Sequence, residues 1–253
     1  MIPWLKPAPE EDWFPDCSSA MHEPNGLLAA GGDLSPRRLL AAYRRGIFPW
    51  YEAGQPILWW SPDPRTILLP GSMHISRRLR RRLRSESFEV SVDQDFAAVV
   101  TACANRGVTS ESAGMRDGET GTWITPEMVS GYTRLHRLDH AHSLEILRQG
   151  DLVGGIYGVT LGRVFFAESM FSGVTDASKI ALACLSGLLQ RHRYAMIDCQ
   201  LPSAHLTSLG CVEIPRVEFT RRIEKYCTDS PSPMQWRQAA MPVATLCQRC
   251  DSV

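Results

Sequence analysis

The stretch between residues 142 and 200 constrains the fold of this chain most strongly. Three strand-like segments, SLEILR, LVGGIYGVT and RVFFAES, are separated only by the short connections at Gly150-Asp151 and Leu161-Gly162. Connections this short join antiparallel neighbours, so the pattern predicts a three-stranded meander. A helix, DASKIALACLSGLLQR, follows Asp176, and RYAMIDCQ returns as a strand. The predicted order is β-β-β-α-β.

The rest of the chain predicts an α+β protein with more than one part. Ser35 and Thr125 each precede a proline and an apolar periodic segment, which is typical of a helix N-terminus. The polar, glycine-rich segment 107–121 is expected to be a mobile loop. We assign residues 1–70 to a small N-terminal α+β domain, residues 71–228 to a larger mixed-sheet domain, and residues 229–253 to a flexible C-terminal extension.

Composition limits the classes of function. The chain has 253 residues, with 27 basic and 27 acidic side chains. A net charge of zero argues against a polybasic nucleic-acid coat, so any nucleic-acid partner must bind a local patch. The eight cysteines are scattered and several lie in apolar runs, which favours the reducing cytoplasm over a disulfide framework. No segment approaches the ~20 apolar residues of a membrane span, and we expect a cytoplasmic protein.

A basic segment, HISRRLRRRLRSE, is the strongest local concentration of charge. Ile75, Leu79 and Leu83 are spaced four apart and share one helical face. The remaining surface is either an ordinary solvated face or a phosphate-binding patch, and the residues alone favour neither. The arginines of this segment are Arg77, Arg78, Arg80, Arg81, Arg82 and Arg84.

Polar residues at two strand ends are candidates for chemistry. Glu168 lies inside the apolar run FFAESMF, where an isolated carboxylate is costly to bury. It can bind a cationic ligand, accept hydrogen bonds from a ligand, or pair with a distant Arg or Lys. In a regular strand Asp198 and Gln200 share one face, so Asp198 can orient the Gln200 amide, or the two can form a structural network. His142, in a weak His-Ala-His pattern, is expected to form a hydrogen bond near a strand start.

Two resemblances make these patterns more specific. The β-β-β-α-β order resembles the core of the GNAT acetyltransferase superfamily, in which an acyl donor sits in a split between central strands. A series of segments, in the same order along the chain, resembles the leucyl/phenylalanyl-tRNA-protein transferases. Those segments are GLLAAGGDLSPRRLLAAYRRGIFPWY, ILWWSPDPR, TWIT, AHSLE, LVGGIYGV, FFAESMFS, DASKIAL, MIDCQ and HLTSLG.

The second resemblance implies a function and a set of site residues. It implies a monomeric enzyme with a GNAT-like C-terminal domain that moves Leu, Phe or, less well, Met from tRNA to an N-terminal Lys or Arg, marking the acceptor protein for N-end rule degradation. No metal, ATP or other cofactor is implied, because the ester to tRNA is already activated. The implied catalytic residues are Glu168, Asp198 and Gln200. The implied substrate-binding residues are Trp59, Trp123, Phe165, Met170, Leu182, Leu185, Ile197 and Ser203, and the arginine segment is assigned to tRNA.

Two other functions remain as alternatives. One is a GNAT-type N-acetyltransferase using acetyl-CoA, although its usual Q/R-x-x-G-x-G/A turn is replaced here by SGVTDAS. The other is a non-catalytic tRNA-binding module, which has no need of Glu168, Asp198 and Gln200 together.

Overall fold

The computed structural model describes residues 2–7, 13–84, 87–105, 124–227 and 234–247. Strands and helices alternate irregularly, as in an α+β protein. The strands are β1 (Trp4–Leu5), β2 (Leu27–Gly31), β3 (Phe48–Pro49), β4 (Leu58–Trp60), β5 (Arg65–Leu68), β6 (Glu89–Val92), β7 (Ala141–Arg148), β8 (Asp151–Leu161), β9 (Val164–Ser172), β10 (Met196–Gln200), β11 (Val212–Ile214) and β12 (Gln238–Pro242). The α-helices are α1 (Pro36–Tyr43), α2 (Arg77–Leu83), α3 (Phe96–Ala104), α4 (Pro126–Arg137), α5 (Ala177–Arg191), α6 (Ala204–Ser208), α7 (Arg216–Tyr226) and α8 (Val243–Cys247).

The strands form two mixed sheets. The larger has the order β11-β5-β10-β9-β8-β7-β6-β12, and the smaller has the order β1-β2-β4-β3. In the larger sheet β9 and β10 run parallel, whereas every other neighbouring pair is antiparallel. The predicted meander is confirmed as β7, β8 and β9, and the return of the chain through α5 makes β10 parallel to β9.

Alternation along the strands gives the large sheet a buried core on each face. Ile156 and Phe165 face one core, whereas Tyr157 and Phe166 face the other. The first core contains α5, which has 15 residues, and the second contains α3 and α4. In the described part of the chain, no helix has both the length and the apolar character required to cross a bilayer.

The predicted helix starts follow from local capping chemistry. The Ser35 hydroxyl accepts a hydrogen bond from the backbone N–H of Arg38, and Thr125 likewise accepts one from Met128. Asp176 also precedes a helix, but its side chain makes no capping bond. Its φ of 70° is left-handed, and its carboxylate pairs with basic side chains instead. The helix therefore begins where expected, although the capping bond is absent.

The structure does not separate an N-terminal region cleanly at residue 70. β1 to β4 and α1 form the small sheet and its helix, but β5 pairs with β10 and β11 in the large sheet. The connection from β4 to β5 thus links the two sheets directly. The division into residues 1–70 and 71–228 stays a prediction.

The C-terminal segment, which the sequence suggests is a flexible extension, packs against the core over residues 234–247. β12 pairs with β6 at the sheet edge, and α8 packs on α5. Trp236 is buried and stacks on His142, with ring centroids 4.2 Å apart. The expectation failed here because the buried side chains are too few and too irregularly spaced to give a helix or strand period. The segment 107–121, predicted to be a loop, lies outside the described residues.

Candidate active site

The site lies where two parallel strands separate. β9 and β10 pair from Val164 and Met196 as far as Phe166 and Asp198, and the described pairing ends there. Each strand then has an irregularity: Glu168 is skipped in the pairing of β9 with β8, and Cys199 is skipped in the pairing of β10 with β5. Such bulges redirect side chains and are common beside active sites. They open the sheet between β9 and β10.

A cavity of about 260 Å³ occupies this opening. Its wall is largely apolar, and the polar side chains of Glu168 and Gln200 reach it from the two separated strands. β3 and the start of α6 complete the wall from the other sides. The lining residues are Phe48, Pro49, Trp50, Ile156, Ala167, Glu168, Ser169, Met170, Leu182, Cys199, Gln200, Leu201 and Leu206.

Among the described residues, two tyrosines rather than a cation hold Glu168. The Tyr43 hydroxyl donates to Oε1 at 2.7 Å, and the Tyr132 hydroxyl donates to Oε2 at 2.6 Å. The two hydroxyls are themselves 2.9 Å apart. Burial raises the pKa of Glu168 to about 7, although both tyrosine hydrogen bonds act in the opposite direction. The carboxyl group can therefore exchange a proton near neutral pH.

Asp198, by contrast, forms a buried ion pair. Arg65 Nε lies 2.8 Å from Oδ1 and Nη2 lies 2.7 Å from Oδ2, with exposures of 1% and 0% for the two side chains. The guanidinium carbon lies 4.7 Å from the Phe48 ring centroid and 4.6 Å from that of Phe219. This bidentate, aromatic-flanked geometry fixes the carboxylate firmly. Asp198 is absent from the cavity lining.

The link between Asp198 and Gln200 differs from the sequence expectation. Asp198 Oδ1 accepts a hydrogen bond from the Gln200 backbone N–H at 3.1 Å. Gln200 has a left-handed φ of 56°, and the bulge at Cys199 breaks the regular strand that the expectation assumed. Among the described contacts, Asp198 orients Gln200 through its main chain, and the Gln200 side chain lines the cavity.

The apolar residues expected to contact substrate fall into two groups. Met170 and Leu182 line the cavity. Phe165, Leu185 and Ile197 are fully buried in the core behind it and do not reach its surface. Ser203, the remaining candidate, caps α6 by accepting a hydrogen bond from the Leu206 backbone N–H at 3.1 Å, and it also lies off the lining.

The tryptophans divide differently from the sequence assignment. Trp59 is 0% exposed, donates its indole N–H to the Gly31 carbonyl at 2.9 Å and packs edge-on to Phe14. Trp50 is 36% exposed and lines the cavity, so it is better placed than Trp59 to meet a ligand at the mouth. Trp123 lies outside the described residues.

Most of the arginine segment forms the predicted helix as α2, with Leu79 and Leu83 buried, but Ile75 lies before the helix begins and is not part of its apolar face. Arg78 Nε lies 3.2 Å from the carboxylate of Asp176, and Arg82 Nε lies 3.9 Å from it. These contacts dock α2 at the start of α5, which supplies Leu182 to the cavity. The exposed side chains of Arg77, Arg80, Arg81 and Arg84 therefore form a basic surface beside the site.

A group of possible metal ligands lies elsewhere. Side-chain atoms of Asp93, His136 and His142 come within 4.8 Å of one another. His142 Nδ1 is 2.6 Å from Asp93 Oδ2, which confirms the expected hydrogen bond of this histidine. His136 Nδ1 is 2.7 Å from the Ala141 carbonyl. In both histidines Nδ1, the ring nitrogen close to Asp93, thus already has a hydrogen-bond partner.

Sequence reasoning missed Arg65, Tyr43, Tyr132 and Trp50. The arginine ends the WWSPDPR segment, and its position at the start of a buried strand was a usable signal for a buried cation. Neither tyrosine carries such a signal, because each fits the apolar stripe of its own helix. Only the fold brings them to Glu168.

A cavity with an apolar wall, a titratable carboxyl and a carboxamide suits a group that is apolar at one end and cationic at the other, as an aminoacyl group is. The leucyl/phenylalanyl-tRNA protein transferase family model matches residues 67–224, and the model of that family's N-terminal domain matches residues 32–63. The chain belongs to the leucyl/phenylalanyl-tRNA protein transferase family, and it is a transferase.

Two relatives with that name agree with this assignment. A leucyl/phenylalanyl-tRNA–protein transferase of Aromatoleum aromaticum is 53% identical over 236 residues, which are 93% of this chain and 94% of that one. The enzyme of that name from Azotobacter vinelandii is 54% identical over 223 residues, covering 88% and 94%. Among solved structures, L-PGS from Bacillus licheniformis has a TM-score of 0.41 and 10% identity, covering 72% of this chain and 56% of that chain.

Proposed function

We propose that this chain transfers Leu, Phe or, less efficiently, Met from aminoacyl-tRNA to the N-terminal Lys or Arg of acceptor proteins. The observation that carries the proposal is the cavity between β9 and β10, which is apolar on one side and lined by Glu168 and Gln200 on the other. The reaction needs no cofactor, because the ester to tRNA is already activated. The product carries the N-terminal residue that leads to N-end rule degradation, and the tRNA substrate makes the cytoplasm the place of action.

The apolar part of the cavity is assigned to the donor side chain. Ile156, Met170 and Leu182 form a wall without charge, which suits Leu, Phe or Met and penalises a polar side chain. Phe165, Leu185 and Ile197 support that wall from the core behind it. Trp50 at the mouth offers an aromatic face on which the terminal adenosine of the tRNA can stack.

The polar part of the cavity is assigned to the amine and the ester. The Gln200 carboxamide oxygen accepts a hydrogen bond from the attacking amine, and Glu168 contacts an ammonium group of the bound substrates. Asp198 acts indirectly, because Arg65 holds its carboxylate and Asp198 in turn holds the Gln200 main chain. Most of the rate enhancement then comes from positioning of the amine against the ester carbonyl.

The basic surface of α2 is assigned to the phosphate backbone of the donor tRNA. Phosphate contacts carry no sequence information, which suits an enzyme that selects donors by their amino acid and accepts several tRNAs. Arg78 and Arg82 are partly neutralised by Asp176, so Arg80 and Arg81 are the stronger candidates.

We also propose that the catalytic part is GNAT-like and acts as a monomer. The meander of β7 to β9, the helix α5 and the parallel return of β10 support the first statement. So does the position of the cavity, at the split between the two parallel strands.

The test is a transfer assay with radiolabelled Leu-tRNA or Phe-tRNA and a peptide that begins with Arg. We expect label at the peptide N-terminus, released by one cycle of N-terminal degradation. Peptides beginning with Asp, or with an acetylated Arg, are matched controls and should stay unlabelled. Labelled acetyl-CoA in place of tRNA tests the acetyltransferase alternative. Absence of transfer from both tRNAs, or equal labelling of all peptides, contradicts the proposal.

A further inference from the structure

Three oxygen-bearing side chains meet at the polar end of the cavity. Tyr43 comes from α1, Tyr132 from α4 and Glu168 from the bulge in β9. Every pair among them is within hydrogen-bonding distance, at 2.7, 2.6 and 2.9 Å. They form a closed ring, which we call the Glu168 ring.

The number of protons in this ring decides its charge. Three contacts need three hydrogens, one for each pair of oxygens. The two phenols supply two, and burial raises the pKa of each phenol well above its usual range, so both stay protonated. An ionised Glu168 leaves one contact without a hydrogen, whereas a neutral carboxyl group completes the ring. The geometry therefore accommodates one exchangeable proton.

Other ionisable groups face the ring from the neighbouring strands. Tyr157 of β8 contacts both phenols electrostatically, Asp198 of β10 raises the pKa of Glu168, and Arg65 of β5 lowers it. Because Arg65 and Asp198 are paired with each other, their opposing effects largely offset. Burial remains the dominant influence and raises the pKa of Glu168 to about 7.

We propose that Tyr43 and Tyr132 are positioning residues that hold Glu168 as the proton acceptor for the α-ammonium group of the acceptor protein. This inference rests on the transfer reaction proposed above. The ammonium group gives one proton to the Glu168 carboxylate and becomes a neutral amine. Its nitrogen then forms the new bond to the ester carbonyl carbon, the bond from that carbon to the ribose oxygen breaks, and a second amine proton goes to this oxygen. Glu168 finally releases its proton to water.

Three other groups in or near the cavity are poorly suited to this role. The Gln200 carboxamide is a very weak base. A hydrogen bond with Cys211 and burial raise the pKa of the Cys199 thiol well above its usual range, so it carries no charge near neutral pH. Asp198 lies off the cavity and is tied to Arg65. A proton acceptor works best when its pKa is near the working pH, and Glu168 meets this condition.

The pH dependence of transfer by Tyr132→Phe and Tyr43→Phe tests the inference. Each substitution removes one hydrogen bond to the carboxylate, so Glu168 should bind its proton more tightly. The midpoint at which kcat/KM rises with pH should move upward by about one pH unit, a tenfold change in proton affinity. The acceptor amine titrates identically in every variant, so differences between variants report on Glu168. Glu168→Gln should lose most of kcat while it still binds charged tRNA.

Tyr51→Phe is the matched control. Its hydroxyl contacts Thr125 Oγ1 at 3.2 Å, and Tyr51 is absent from the cavity lining and from the Glu168 ring, so its removal should leave the midpoint unchanged. A second measurement needs no activity: infrared absorption of the protonated carboxyl group, titrated in wild type and in Glu168→Gln. A band that titrates near pH 7 and is absent from the variant supports the ring.

Two results would overturn the inference. One is normal transfer by both tyrosine variants with a wild-type midpoint, and the other is the lack of a carboxyl band that titrates near neutrality. If wild type transfers no amino acid at all, the proposed function fails instead. The infrared titration then still decides whether the ring holds its proton.

Discussion

Replacing Asp198 by Asn tests whether this residue acts through structure or by direct catalysis. The change keeps the size and one oxygen acceptor but leaves the Arg65 charge buried at 1% exposure between two phenylalanine rings. Removal of one partner from a buried pair costs about 3–5 kcal/mol. We therefore expect the free energy of unfolding to fall by about that amount, with a loss of kcat because Arg65 no longer fixes both oxygens of the side chain that anchors the Gln200 main chain.

The assay is urea unfolding followed by tryptophan fluorescence, combined with steady-state transfer kinetics. Arg65→Met should cost a similar amount, and the double variant should lose clearly less than the sum, since neither charge is then left alone. Glu218→Gln is the control, because the Arg222–Glu218 pair at 2.6 Å is equally short but exposed. Its loss should cost well below about 1 kcal/mol.

One result would refute this reasoning. If Asp198→Asn unfolds within about 0.5 kcal/mol of wild type yet loses kcat, the buried pair contributes little stability. Asp198 would then act on the reacting groups themselves, for example by polarising the side-chain amide of Gln200.

Three further results are expected. Between pH 4.5 and 7 the folded protein keeps a proton on Glu168 that the unfolded chain has lost, so the stability of the wild type should decline as the pH rises through this range. The free energy of unfolding, measured at pH 5 and pH 8, should fall by on the order of 3 kcal/mol from this cause. Glu168→Gln should lack this decline. Trp50→Ala should raise KM for charged tRNA with little change in stability. Trp59→Phe should instead lower the free energy of unfolding by about 1 kcal/mol and leave KM unchanged; the reverse pattern would restore the sequence assignment. The double variant Arg80→Glu and Arg81→Glu should raise KM for charged tRNA and reduce the slope of log affinity against log salt concentration by about one per lost contact. Transfer from a minimal aminoacyl-adenosine donor should be unchanged. An equal loss of activity with both donors would argue against a role of the basic surface in tRNA binding.

Local patterns predicted much of the fold. The meander followed from strand composition and two short turns, and the starts of α1 and α4 followed from Ser35 and Thr125 with their prolines. These features depend on neighbours within a few residues, so a single sequence contains them. The packed C-terminal segment was not predicted, because its burial depends on pairing with β6 and stacking on His142.

The sequence predicted where residues of the site lie, but not which side chains hold them in place. Glu168 and Gln200 were expected near the strand ends, and both line the cavity. Their supports come from far along the chain: Arg65 is 133 residues from Asp198, and Tyr43 is 125 residues from Glu168. Periodicity also failed locally, because the bulge at Cys199 separates the directions of side chains that a regular strand would align.

The side chains that contact Glu168 and Asp198 give these two neighbouring carboxyl groups opposite properties. The assignment of their roles follows from that difference. Asp198 meets a guanidinium group with both oxygens, so its charge is balanced and its position fixed. Within the part of the chain that the structure describes, Glu168 accepts hydrogen bonds from two neutral phenols, which hold it in place without supplying a positive charge. Exchanging these supports would remove the function of each: an arginine on Glu168 would hold it ionised and weaken it as a base, and phenols on Asp198 would leave a buried charge unbalanced. Two carboxyl groups in one site can therefore serve as an anchor and a proton acceptor because their environments differ.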